Sequence, residues 1–346
     1  SDGSHPEGRR LVFVGDLVDR GPDSIGVIER VREMVVAGNA QCVLGNHELS
    51  LLRNVPKVDN GWYFNKEDLS AKGQRVATEE ERKEIREFLA ELPLALERDD
   101  LRVVHACWDP NAIERLKNET TDASDAAGEY DRHREKTGAK LESSGLLTRF
   151  ESEKAEFGKL IEYGDNNPDE HWPEAKLLPG HAAVNEARQM GNPVAVLTSG
   201  QERAATETYP AGGKYRFVNR VAWWDEYVGD QAVIMGHYWR LYDFGIATRP
   251  RAAGVDVFKG TKPDQWLGAR KNVYCVDFSV GGRGNKYSSD ICRLAAVRWP
   301  EATVMFDNGE VLETDVGRSE TGSLSPGRMA SGSVTSSPPT GWCRQD

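Results

Sequence analysis

Two short stretches hold side chains able to do chemistry: Asp16, Asp19 and Arg20 in GDLVDRG, and Asn46, His47 and Glu48 in GNHE. Carboxylates, a carboxamide and an imidazole together form a donor set for a hard or borderline divalent metal. An arginine among them adds a planar, permanently charged fork for an anionic substrate. One GD or NH pair alone would be an ordinary polar loop. Two such clusters, about one β-α-β unit apart, point to a shared site.

The elements around them explain how they could meet. Leu11–Val14 and Gln41–Leu44 are short apolar runs, each ending at a glycine followed by polar residues. Pro22–Gly38 separates them as a helix, with Ser24 as its cap, a stripe of Ile25, Ile28, Val31 and Val35, and Gly38 as its stop. Apolar runs alternating with a helix read as buried parallel strands of an α/β sheet. Side chains just past the carboxyl ends of neighbouring strands converge on one crevice. His105 closes the apolar run Leu101–Val104, and His237 follows Gln231–Met235 and Gly236 in the same way. Taken alone, a histidine at a strand end equally fits a satisfied core residue.

GDLVDRG and GNHE resemble the GDxVDRG and GNHE blocks of the calcineurin-like metallophosphoesterases, and within them the phosphoprotein-phosphatase branch. That branch includes Ser/Thr phosphatases and bacterial diadenosine-tetraphosphatases. The resemblance implies an α/β fold, a four-layer α-β-β-α sandwich with mixed sheets, and two divalent ions, Mn, Fe or Zn. It implies Asp16 as the bridging carboxylate, with Asn46, His105 and His237 completing the second metal site. It implies His47 as general acid, Asp19 as its carboxylate partner, Arg20 as a phosphate-binding group and Glu48 as support for a ligand. The family often adds a second arginine, for which Arg220 and Arg240 are both candidates. Its members normally open one β-α unit earlier, on a GDxHG block whose Asp and His hold the first metal. No GDxH occurs here, and Asp2-Gly3-Ser4-His5 has no strand before it. The expectation is that this first unit, about 30 residues, is missing from the sequence, the alternative being genuine loss of that metal site. One well-formed metal site and weak or no activity are then expected of this chain.

The rest bounds the reading. Charged residues make up 29% and the formal net charge is -11, which argues against a protein that coats nucleic acid or binds anionic membranes. No apolar run approaches a membrane span. Five scattered cysteines without CxxC pairing read as reduced thiols of a cytoplasmic protein, Cys107 among them as a packing residue. We expect a phosphoesterase domain over residues 1–313, with residues 111–213 forming an insertion or cap, and a disordered tail over 314–346. Within the insertion His181 is a further candidate histidine, while His133 and His171 read as surface residues. Trp62, Tyr63 and Phe64 read as core or lid packing. Thr78–Glu81 forms a capping box; Asn272–Val280, followed by GGR, and Cys292–Trp299 read as alternating strands, and Ala302–Phe306 turns into Glu310–Leu312 at Asp307-Asn308-Gly309. The strand carrying Asp277, then GG, then the RLxAxRxPE run resembles the close of diadenosine-tetraphosphatase-type members.

Three functions follow. The first is hydrolysis of phosphate esters, on a phosphorylated small molecule or a phosphoprotein, by metal-activated water. The second is the same chemistry on a nucleoside polyphosphate such as diadenosine tetraphosphate. The third is a non-catalytic metal-binding or interaction protein. Composition leaves the oligomeric state open.

Overall fold

The computed structural model describes residues 2–66, 73–120, 125–161, 177–211, 214–242, 254–285, 288–316 and 343–345. The fold is α/β with mixed sheets, as the sequence implies. Strand β1 (Leu11–Phe13) pairs in parallel with β2 (Ala40–Cys42), with helix α1 (Ser24–Val36) between them. Ile25, Ile28 and Val31 bury the inner face of α1, and Gly38 ends the turn at φ 75°. The cap is Asp23 rather than Ser24: its Oδ1 accepts the Gly26 N–H at 2.9 Å. The Ser24 hydroxyl instead accepts the Asp19 N–H at 2.9 Å, a tertiary contact that competes successfully with capping. Strand β1 is less buried than its apolar sequence suggests. Among the described residues it pairs with β2 alone, and Leu11 is 47% exposed.

Helix α2 (Asn46–Leu52) opens directly on the GNHE block, and α3 (Gly61–Phe64) holds the aromatic trio. In α4 (Glu79–Ala90) the expected box forms: Thr78 Oγ1 accepts the Glu81 N–H, and Glu81 accepts the Thr78 N–H at 2.8 Å. Strands β3 (Ala95–Glu97) and β4 (Leu101–Val104) make a hairpin. Helices α5 (Pro110–Glu119), α6 (Ala126–Ser144), α7 (Leu146–Ile161), α8 (Pro179–Met190) and α9 (Pro193–Ser199) then lead to a long hairpin, β5 (Glu202–Ala211) and β6 (Lys214–Arg220).

Strands β7 (Ala232–Met235) and β8 (Val273–Cys275) join β4 in parallel register. With β12 (Cys343–Gln345) on the far edge, the sheet order is β12-β3-β4-β7-β8. So part of the stretch expected to be a disordered tail is a strand, paired with β3; residues 317–342 lie outside the described residues. The closing strands β9 (Ala295–Arg298), β10 (Thr303–Phe306) and β11 (Val311–Glu313) form an antiparallel sheet.

Alternation along the central strands divides the core. Val104, Val233, Met235, Val273 and Cys275 pack with the helices, among them Ile28, Leu51 and Leu89. Val103, Ile234 and Tyr274 pack on the opposite side against Val304 and Phe306 of β10. A sheet covered on both faces leaves its strand ends as the place where polar side chains can reach an open crevice. Among the described residues, no helix is long and apolar enough to cross a membrane.

One buried carboxylate ties the first two strand ends together. Glu48 accepts the N–H groups of Asp16 (3.0 Å), Leu17 (2.7 Å) and Gly45 (3.1 Å). The loops touch so closely that a Cβ on Gly15 would lie 2.7 Å from the Gly45 backbone, and one on Gly45 would lie 2.4 Å from Asp16 N. Replacing Glu48 with Gln keeps one acceptor oxygen but sets an N–H2 group against the backbone N–H on the other side. We expect Glu48→Gln to lose about 2–3 kcal/mol of unfolding free energy, measured by urea denaturation; a loss below about 0.5 kcal/mol, the range of a neutral surface change, would contradict the clamp.

Candidate active site

The crevice collects the residue after each parallel strand. Asp16 follows β1, Asn46 and His47 follow β2, His105 follows β4, and His237 follows β7. Asp16, Asp19, Arg20 and His237 all adopt left-handed backbone, at φ 55°, 70°, 42° and 69°. Non-glycine residues held there cost of order 1–3 kcal/mol each, so the surrounding fold must over-determine them.

Four of the expected ligands meet. One ligand atom from each of Asp16, His105 and His237 lies within 4.8 Å of the others. His105 Nε2 is 3.2 Å from Asp16 Oδ1 and 3.3 Å from Asn46 Oδ1, while His237 Nδ1 is 3.0 Å from Asn46 Oδ1. Adjacent ligands of an ion with bonds of about 2.1 Å are separated by about 3.0 Å in an octahedral shell and about 3.4 Å in a tetrahedral one. The spacing therefore fits a single divalent cation between them, and two imidazoles with two oxygens suit Mn, Fe or Zn better than Ca. The His105 ring is set for this role: its Nδ1–H donates to the Val14 carbonyl at 2.5 Å, turning Nε2 inward.

The electrostatics describe a site that calls for positive charge. Burial opposes ionisation of Asp16, but His105 and His47 beside it outweigh that and hold its carboxyl well below the usual range. Burial likewise opposes the charge on His105, yet Asp16 raises its pKa to about 9. Burial and the Asp16 charge push Glu48 up. Burial, Arg220 and His105 drive His237 well below the usual imidazole value, so it is neutral and able to ligate.

Beside the ligands stands a dyad. His47 Nδ1 lies 2.5 Å from Asp19 Oδ2, and the other Asp19 oxygen accepts the indole N–H of Trp62 at 2.8 Å. Burial lowers the His47 pKa, but Asp16 and Asp19 more than compensate and the net shift is upward. The His47 backbone N–H also donates to Asp16 Oδ1 at 3.3 Å, coupling the dyad to the ligand cluster. Trp62 is fully buried, and this contact reaches across 43 residues of sequence. The aromatic trio signals packing; nothing in the sequence marks Trp62 as the group that orients Asp19.

The two arginine candidates separate. Arg240 is 0% exposed, donates to the Lys262 and Cys275 carbonyls, and lies against Tyr274 and Phe278. It supports the fold and cannot reach a substrate. Arg220, at the end of β6, has Nη2 3.4 Å from His237 Nε2 and so borders the crevice. His181 does not join the site: it lies in α8, hydrogen-bonded to Glu153 at 3.0 Å between Phe150 and Phe217. His133 is buried rather than on the surface, because α6 turns that face inward and pairs it with Glu129 and Arg132. His171 lies outside the described residues.

A family model described as calcineurin-like phosphoesterase matches residues 3–238. A symmetrical bis(5'-nucleosyl)-tetraphosphatase of Janthinobacterium sp. (strain Marseille) is 38% identical over 97 residues, 28% of this chain and 32% of that relative. The asymmetrical bis(5'-nucleosyl)-tetraphosphatase PrpE of Halalkalibacterium halodurans is 38% identical over 112 residues, 30% of this chain and 44% of that relative. The chain thus spans less than half the length of these curated relatives. Among solved structures, a cold-active protein-tyrosine phosphatase of a psychrophilic Shewanella sp. aligns with 91% of this chain and 72% of its own, at 14% identity and a TM-score of 0.37.

A proton on His105 occupies the place a cation needs, so the two compete below pH 9 and the competition vanishes above it. Apparent Mn affinity should therefore rise by up to about tenfold per pH unit between pH 6.5 and 8.5, with about one proton released per ion at pH 7, as read by calorimetry in buffers of different ionisation enthalpy. An affinity flat across that range would contradict the assignment of His105.

Proposed function

This chain belongs to the calcineurin-like phosphoesterase family, and from that premise we propose that it is a metal-dependent hydrolase of phosphate esters or phosphoric anhydrides. The observation that carries the proposal is the meeting of Asp16, Asn46, His105 and His237 beside the His47–Asp19 dyad. A divalent cation bound there supplies Lewis-acid polarisation of a phosphoryl oxygen and activates water.

The remaining work falls to side chains of this chain. With Nδ1 committed to Asp19, the His47 proton available for transfer is on Nε2, and it goes to the oxygen of the leaving group. Asp19 stabilises the charged imidazole and fixes its orientation, and Trp62 fixes Asp19 in turn. Arg20 and Arg220 border the crevice and would neutralise phosphate oxygens, Arg20 with its fork and Arg220 from the His237 side.

Nucleoside polyphosphates such as diadenosine tetraphosphate are the substrate class we favour over phosphoproteins. The names of both tetraphosphatase relatives support that choice. Mn is the metal we would supply first, with Fe and Zn as alternatives. The thiols of Cys42, Cys107, Cys275 and Cys292 are free and buried, which supports a reducing, cytoplasmic setting.

Turnover of diadenosine tetraphosphate, p-nitrophenyl phosphate and a phosphopeptide by the Mn-loaded chain tests the reading. We expect the first to be preferred. His47→Ala should cut turnover about 10²–10⁴-fold with metal content unchanged, whereas Asp16→Ala should lose the metal. Equal metal loss in both variants would mean the roles are misassigned.

A further inference from the structure

Arg20 is held in an unusual way. Its guanidinium carbon lies 4.3 Å from the centre of the Trp239 ring, while its aliphatic stem runs over Gly281, where an added Cβ would come within 3.1 Å of Cδ. Its guanidinium makes no hydrogen bond or ion pair with any described residue. Stacking engages the plane of a guanidinium and leaves its N–H edge open. The side chain is thus fixed without any of its donors being used, whereas an Arg–carboxylate pair would have occupied two of them.

Trp239 is itself fixed from behind. Its backbone sits at φ 58°, its N–H donates to Asp277 Oδ2 at 3.0 Å, and the second Asp277 oxygen accepts the Ser279 N–H at 2.9 Å. The next residue is tied to the same strand end, with Arg240 N–H bonded to the Asp277 carbonyl at 3.0 Å and Ser279 Oγ bonded to the Arg240 carbonyl. The end of β8 therefore anchors the loop that carries both His237 and Trp239. Gly281, three residues past Phe278, lies beside the aliphatic stem of Arg20.

We propose that Trp239 is the positioning residue for Arg20: its indole face, with Gly281 beside the aliphatic stem, holds the guanidinium plane so that the free N–H edge meets the oxygens of a bound phosphate group. This rests on the phosphoesterase reading of the site. In this role Trp239 acts through Arg20. The same loop thus delivers a metal ligand and, two residues on, the support for the anion-binding arginine, so that the two subsites are built as one piece.

The test uses the Mn-loaded chain, inorganic phosphate as probe by calorimetry, and KM and kcat for p-nitrophenyl phosphate. Trp239→Phe keeps a stacking face and should leave phosphate affinity within about twofold, whereas Trp239→Leu should weaken phosphate binding and raise KM about tenfold, the span of one cation–π contact. The kcat of Trp239→Leu should change less than its KM, and metal content should stay the same. Placed on Arg20→Ala, Trp239→Leu should add less than about twofold, as expected of two residues acting as one unit. Should Trp239→Leu not fold, Trp239→Met fills more of the volume, lacks the π face and bears the same expectation. If Arg20→Ala weakens phosphate binding but neither Trp239→Leu nor Trp239→Met does, or if the losses simply add, the inference is overturned and the phosphoesterase reading stands. If Arg20→Ala itself leaves phosphate binding unchanged, the anion site assigned to that reading fails, and this inference with it.

Discussion

The structure depends on bringing two strand-end loops into backbone contact and keeping them there. Gly15 and Gly45 permit the approach, since a side chain on either would overlap the other loop. Glu48 enforces it by gathering three N–H groups from both loops onto one buried carboxylate. A neutral acceptor in place of Glu48 would have given a weaker hold. Because the clamp grips the backbone of Asp16 rather than its carboxylate, the side chain stays free to face the crevice.

From this contact the rest of the site follows by geometry. With β1 and β2 joined, Asp16 and Asn46 face the carboxyl ends of β4 and β7, whose parallel register brings His105 and His237 to the same level. The His105 ring bridges the two sheets: it donates to Val14 after β1 while its own carbonyl accepts the Gly236 N–H after β4's neighbour, β7. Two carboxylates, the buried Glu48 and the half-buried Asp16, then sit near each other. Asp16 raises the His105 pKa to about 9, so a proton there offsets part of that charge at neutral pH, and a divalent cation would offset more.

What the sequence makes legible here is whatever follows a strand. Asp16, Asn46, His105 and His237 are readable because each lies within four residues of the end of a short apolar run, and parallel strands send such residues to one crevice. The choice between a core histidine and a ligand, undecidable for His105 from its own run, turns on its neighbours in space, Asp16 at 3.2 Å and Asn46 at 3.3 Å. What stays hidden depends on tertiary contacts without a local signal. Ser24 has the residue type of a cap yet serves Asp19, Trp62 has the look of core yet holds a carboxylate, and Arg240 and Arg220 differ only in what surrounds them. The exposure of β1 and the inward face of His133 were equally beyond periodicity, since both depend on which neighbours the chain supplies.

The central claim is that Asp16, Asn46, His105 and His237 surround one ion. Anomalous diffraction at the Mn edge from Mn-soaked crystals of this chain tests it most directly. The account predicts a peak bonded at about 2.0–2.3 Å to Asp16, Asn46 Oδ1, His105 Nε2 and His237 Nδ1. Full-occupancy Mn bound elsewhere, with these four atoms left bonded only to one another, would contradict it.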